Sequence, residues 1–207
     1  EVSNAFHKNI SASQSVFHPK QTIMRYVTDI GITVNHFSKE DVTLQDLYIW
    51  PDFIKTYFQS ERQPSLRIRT NAVDAFNELK LTILIGPSCS GKSSIAKQLF
   101  YLNEPNEECC LLVNGNDFTS SEDQKICNQI EECFATQYGS EYIEDFRQLS
   151  NEQRSIIVDD FDCIKLSKGR RVRVLDYLCS HFGHVTIFLS SEMEITSLLA
   201  SNEVKSI

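Results

Sequence analysis

Residues 81–94 read LTILIGPSCSGKSS: four apolar residues and Thr82, a short loop bounded by glycines, then a lysine and two serines that open a new segment. The nearly continuous apolar run Leu81 to Ile85 predicts a strand buried on both faces. Beyond the loop, Ile95, Ala96, Leu99 and Leu102 recur at helical spacing and predict an amphipathic helix. Between strand and helix, Gly86-Pro-Ser-Cys-Ser-Gly91-Lys92-Ser93 satisfies G-x-x-x-x-G-K-[ST] without a deviation. A loop in this position directs successive backbone N–H groups and a helix N-terminus at one point, which suits a phosphate. The expected binding residues are Gly86, Pro87, Ser88, Cys89, Ser90, Gly91, Lys92, Ser93 and Ser94. The glycines let the backbone close on the anion. Lys92 is the catalytic cation on the β and γ phosphates, and Ser93 offers its hydroxyl to Mg²⁺.

Three further apolar runs follow at intervals that leave room for helices: Cys109 to Val113, Ser155 to Val158, and Val185 to Leu189. Strands alternating with helical segments signal βαβ units and a parallel sheet. Ile126, Ile130, Phe134 and Tyr138 mark the second helix, with Thr119 and Glu122 as an expected capping box. Val172 to Leu178 marks a shorter third helix, and Glu192 to Leu199 reads as a fourth.

The third strand runs Ile156-Ile157-Val158-Asp159-Asp160-Phe161-Asp162, an apolar strand ending in acids, as a Walker B strand does. It is expected beside the first strand, with Asp159 as the Mg²⁺ ligand and Asp160 orienting the attacking water. Asp162 reads as a turn cap. The fourth strand ends at Ser190, which is weighed equally as a γ-phosphate sensor and as a helix cap. The cations Lys165, Lys168, Arg170, Arg171 and Arg173 read first as a solvated face, with an arginine finger or a partner contact as the functional option. Cys179, His181 and His184 have a spacing faintly like a metal site, but no fourth ligand is nearby.

Composition excludes several classes. With 41% hydrophobic and 23% charged residues, the chain can bury a core and is not a disordered one. It holds no apolar stretch long enough to span a membrane, and its start lacks the basic and apolar regions of a signal peptide. A net charge of -8 argues against broad electrostatic capture of nucleic acid. The acidity lies in residues 81–207, with 19 acids against 11 bases, while residues 1–80 hold 9 of each. Seven cysteines, none in a Cys-x-x-Cys pair, suggest a reduced, cytoplasmic protein.

Upstream of the loop the pattern is looser. Thr22 to Val34 has the density of a strand or short helix, and Val42 to Phe58 reads as an aromatic connector interrupted by Pro51. Ser60 to Arg69 suits a surface linker into the helical-looking Asn71 to Leu79, which places a domain boundary near residue 80. The chain begins at Glu1 without an initiator methionine and is expected to be a piece of a longer polypeptide. The expected fold is therefore α/β, a P-loop NTPase three-layer sandwich with a mostly parallel sheet, spanning 81–207. Residues 1–80 are a small mixed connector or the end of an upstream domain.

ATP is favoured over GTP because no Asn-Lys-x-Asp loop follows the acidic strand. Leu149-Ser-Asn-Glu-Gln153 lacks the glycines of a transporter signature and sits too close to the third strand. The string Gly-Pro-Ser-x-Ser-Gly-Lys-Ser also occurs in nucleotide kinases, so a small-substrate kinase stays open, as does a scaffold that nucleotide merely stabilises. The combination GPSCSGKSS (86–94), VNGNDF (113–118), IIVDDFD (156–162) and IFLSS (187–191) resembles the STAND class of signal-transduction NTPases, relatives of AAA+ and NACHT proteins. The connector VTLQDLYIWPDF (42–53) is similar to the segment preceding the NTPase in bacterial members, several of which act in antiphage defence. The resemblance implies a slowly hydrolysing ATP switch that works by nucleotide-dependent homo-oligomerisation, with effector and sensor domains outside this chain. No effector, fifth strand, winged helix or repeat is visible in it.

Overall fold

The computed structural model describes residues 17–32, 34, 36, 38–39, 41–56, 67–71, 80–103 and 109–190. Four strands form an all-parallel sheet: β3 (Leu81–Ile85), β4 (Cys109–Asn114), β5 (Arg154–Asp159) and β6 (His184–Leu189), in the spatial order β3-β6-β5-β4. The four apolar runs all became strands, three of them one or two residues longer than the runs themselves. Two further strands, β1 (Asp52–Thr56) and β2 (Arg67–Asn71), pair antiparallel in a separate sheet. Arg67 to Arg69 are thus strand and not linker, because their backbone groups pair with Thr56 to Ile54. Residues 72–79 and the expected helix at 192–199 lie outside the described residues.

Register across the sheet sorts the side chains by parity. Ile83, Ile187, Val158 and Val113 line up on one face, as do Leu81, Val185, Ile156 and Leu111. This face is covered by α4 (Asp123–Gln137), α5 (Ile143–Gln148) and α6 (Lys168–His181), through Ile126, Ile130, Phe134, Phe146, Leu175 and Leu178. The other face carries Leu84, Phe188, Ile157 and Cys110, which pack against Ile95, Ala96, Leu99 and Phe100 of α3 (Lys92–Asn103). The sheet lies between two helical layers, so each strand is apolar on both sides.

Local details differ from the sequence expectation. In α3 the fourth apolar contact is Phe100, while Leu102 is exposed, because the helix keeps only one narrow face on the sheet. The α4 cap is Glu122 itself, and its N–H goes to the Ser120 hydroxyl at 3.2 Å. Thr119 instead accepts from Gln129 at 2.6 Å, so the expected capping box does not form. α6 begins four residues before Val172, in a turn made of cations.

The described N-terminal residues pack on this body. Phe17 meets Phe134 edge-on at 5.4 Å, and the Lys20 N–H donates to Gln137 O at 2.7 Å at the end of α4. Ten residues after Phe17, Val27 of α1 (Gln21–Thr28) is fully buried against α3 on the opposite face. α2 (Leu44–Leu47) follows, opened by a Thr43–Asp46 capping box, and ends well before Pro51. No helix among the described residues is long and apolar enough to cross a membrane.

The outer edge of β4 carries backbone groups that no strand among the described residues pairs. The buried Gln137 amide serves them: it accepts from Leu112 N–H at 3.2 Å and donates to Leu112 O at 2.6 Å. The Tyr138 hydroxyl donates to Cys110 O at 2.5 Å. Replacing Gln137 by Leu leaves the half-buried Leu112 N–H without its partner and Leu112 O with only the Cys133 thiol at 3.8 Å, and should cost about 1–3 kcal/mol. Urea unfolding measures this, and a loss below about 0.5 kcal/mol would show that the amide is dispensable.

Candidate phosphate-binding site

The loop between β3 and α3 is tied to the sheet at its first residue, where Gly86 N–H donates to Leu189 O of β6 at 3.2 Å. A Cβ on Gly86 would stand 2.6 Å from the Ser90 hydroxyl, so a side chain here would make Ser90 turn away. Ser90 N–H closes a turn on Pro87 O at 3.3 Å, and the chain then passes through positive φ at Cys89 (60°) and Gly91 (87°). Cys89 pays a strain that Gly91 avoids. Pro87, Ser88, Cys89, Ser90, Gly91 and Ser93 are exposed, and Ser94 is half-buried.

Lys92 is only 8% exposed. Its ammonium donates to Gly86 O at 3.0 Å and Pro87 O at 2.8 Å, so the loop's own carbonyls hold the charge inside the curve of the loop. The Ser93 side chain lies close enough to Asp159, at the end of β5, to pull the pKa of that carboxyl down. Sequence thus anticipated the meeting of Ser93 and Asp159. It misjudged the path: β5 is not beside β3, and β6 runs between them. Parity explains the reach, since Asp159 shares the α3-facing side of β5 with Ile157.

Burial holds the Asp159 carboxyl above its usual range, and the charge of Asp160 adds to the effect. Ser93, the Asp160 N–H at 3.0 Å and Lys92 oppose the shift but do not cancel it. Asp160 takes a left-handed conformation (φ 53°, ψ 44°) that turns the chain sharply after the strand. Its carboxylate groups with Asp162 and Cys163. Gly115, just past β4, makes this turn possible, because a Cβ there would lie 2.2 Å from Asp160 O.

Ser190 stands at the end of β6, between the loop and the acids, but its hydroxyl and N–H both go to Asp162. Asp162 therefore ties the end of β6 to the turn after β5, a role beyond the turn cap expected from sequence. The 28-residue separation of this pair leaves no local signal. Gly115 did leave one: an isolated glycine at a strand end marks a close backbone approach.

Of the cations after the acids, Lys165, Lys168, Arg170 and Arg173 are exposed and make no ion pair among the described residues. Arg171 donates Nε to Leu166 O at 3.1 Å. Cys179, His181 and His184 do not come together as ligands; His181 stacks on Tyr177 at 3.9 Å instead. All seven cysteines are free thiols. A cleft of about 390 Å³ under α4, α5 and α6, lined by Arg154, Tyr177 and His181, lies at the opposite end of β5 from Asp159. Comparison with protein families, with curated proteins and with solved structures finds no match to this chain.

Two outcomes follow from the geometry. A raised folded-state pKa means that the native protein binds a proton at Asp159 where the unfolded chain has lost it. Its stabilising effect is full below the unfolded carboxylate pKa and is lost as pH rises through the raised folded value. Asp159→Asn should therefore raise the melting temperature of the ligand-free protein at neutral pH by a few degrees, and flatten its pH dependence above pH 4; an unchanged or lower melting temperature would contradict the burial cost. Gly115→Ala must push the Asp160 turn aside, at about 1–3 kcal/mol, measurable by thermal or urea unfolding.

Proposed function

We propose that this chain binds a nucleoside triphosphate, ATP in preference to GTP, on residues 86–94 and hydrolyses it slowly as a molecular switch. The observation that carries the reading is the convergence of Lys92 and Ser93, at the start of α3, with Asp159, at the end of β5, on the mouth of a glycine-bounded loop. Parallel pairing brings the ends of β3, β6 and β5 to one edge of the sheet, and every group the chemistry needs is carried there.

A divalent cation fits the residues present. Ser93 and Asp159 offer a hydroxyl and a carboxylate, hard oxygen donors of the kind Mg²⁺ takes, and Asp159 is a buried acid whose charge lacks a full counter-charge. Bound there, Mg²⁺ neutralises charge on the phosphate oxygens. Lys92 exchanges its loop carbonyls for the β and γ phosphates, which removes little of its burial. The backbone N–H groups from Ser88 to Ser93 orient the phosphate chain. Asp160, one residue beyond the metal ligand and held by Gly115, is the group to take the water's proton. Ser190 becomes a γ-phosphate contact once it exchanges Asp162 for the ligand.

The wider role rests on the four motifs that resemble STAND proteins: a cytoplasmic antiphage-defence switch, homo-oligomerising with nucleotide state, its effector and sensor outside this chain. The exposed cations Lys165, Lys168, Arg170 and Arg173 favour a second reading, phosphoryl transfer to an anionic small-molecule acceptor.

Turnover of ATP with and without Mg²⁺, paired with thermal shift, tests these readings. Lys92→Ala should abolish the Mg-ATP thermal shift. Asp160→Asn should keep the shift and lose about 100-fold or more in phosphate release. Binding without Asp160-dependent hydrolysis removes the ATPase reading, and turnover that appears only with an added acceptor selects the kinase.

A further inference from the structure

The cleft beneath α4, α5 and α6 opens at the start of β5, away from the phosphate loop. Its volume of about 390 Å³ lies in the range of about 300–1,000 Å³ that small-molecule sites occupy. Arg154, the first residue of β5, stands half-buried in its wall. Among the described residues its hydrogen bonds leave from Nη2 alone, to Arg147 O at 3.0 Å and Leu149 O at 2.6 Å, while Nε has no acceptor. The Phe146 ring lies 4.9 Å from the guanidinium carbon. Carbonyls and ring fix the group in place but do not neutralise it. Arg154 makes no ion pair among the described residues, and burial lowers its pKa.

The acid in the cleft wall is already taken, since Glu131 accepts from Arg147 through both oxygens, at 2.7 Å each. His181 turns Nδ1 to Tyr177 O at 2.8 Å and stacks on the Tyr177 ring. With Arg147 and Glu131 cancelling, one positive charge in the wall is left over, at Arg154. The rest of the wall is largely apolar and aromatic, with Ile130, Phe146, Tyr177 and Phe182. We propose that this cleft is a second binding site, for a small aromatic monocarboxylate whose carboxylate accepts from the Arg154 guanidinium and whose ring packs among Phe146, Tyr177 and Phe182. Charge decides the class: one surplus cation balances one carboxylate, whereas a phosphate dianion brings a charge that nothing in the wall meets. The planar guanidinium also matches the two oxygens of a carboxylate. The site is separate from the nucleotide reading, because β5 carries Arg154 at one end and Asp159 at the other.

The test uses the whole chain with benzoate as the probe, benzamide as its uncharged counterpart and inorganic phosphate as the competing anion. Titration followed by proton–nitrogen NMR of the arginine side chains should give a benzoate Kd of about 1 mM or tighter, with the Arg154 Nε–H signal moving. Benzamide and phosphate should each bind at least about 10-fold more weakly. Gln124→Trp puts a bulky ring at the exposed rim of the cleft, so it should leave the melting temperature unchanged and weaken benzoate at least about 10-fold. Arg154→Gln should erase the preference for benzoate over benzamide; should that variant fail to fold, benzamide and Gln124→Trp still decide. Equal affinity for benzoate and benzamide overturns the role of Arg154, and phosphate binding tighter than benzoate overturns the ligand class. Benzoate binding untouched by Gln124→Trp overturns the location, and no spectral change up to about 20 mM benzoate overturns the site.

Discussion

Parallel pairing is the constraint on which the arrangement depends. A parallel strand cannot be reached by a tight turn, so each connection crosses the sheet as a helix and every strand ends at the same edge. The helices cover both faces, which forces the strands to be apolar throughout and expels polar chemistry to that edge. Loop, acids and Ser190 are neighbours for this reason, although more than 60 residues separate the loop from Asp159. β6 lies between β3 and β5, so the loop and Asp159 meet across the end of an intervening strand.

The edge is built at a cost. Lys92 is buried against carbonyls, Asp159 is buried against its inclination to ionise, and Cys89 and Asp160 hold backbone conformations that side chains disfavour. The rest of the fold overdetermines these choices: Gly86 is tied to Leu189, Gly115 abuts the Asp160 turn, and Asp162 takes both polar groups of Ser190. Lys92 and Asp159 thus hold opposite charges in partly buried places at one end of the sheet.

Much of this was legible in the sequence, and unevenly so. The four strands were plain because residues buried on both sides must be apolar in nearly continuous runs. The loop was plain because backbone curvature needs Gly86 and Gly91 at a fixed spacing. The α4 cap was misread, since Thr119 and Glu122 have the spacing of a box but Glu122 is already the boundary residue. α6 was read short because its first turn is polar, and hydrophobic periodicity sees only the part that touches the core. Contacts between distant residues left no trace at all: Ser190 with Asp162, and Lys97 with the ring of Tyr26, follow from the winding of the chain and not from any local pattern. The order of the strands was equally invisible, because β5 and β6 are alike in composition.

The Gln137 clamp bears on how such a molecule can assemble. An unpaired sheet edge is an invitation to β-augmentation, in which a peptide or a second sheet continues the hydrogen-bond ladder. On the β4 side the ladder positions at Cys110 and Leu112 are already filled by a side-chain amide and a phenol that belong to the same helix end. A strand arriving there would have to evict both and leave them unpaired in a buried place. Growth of the sheet in that direction is therefore closed, and contacts between copies or with other proteins on this flank are left to the helical surfaces.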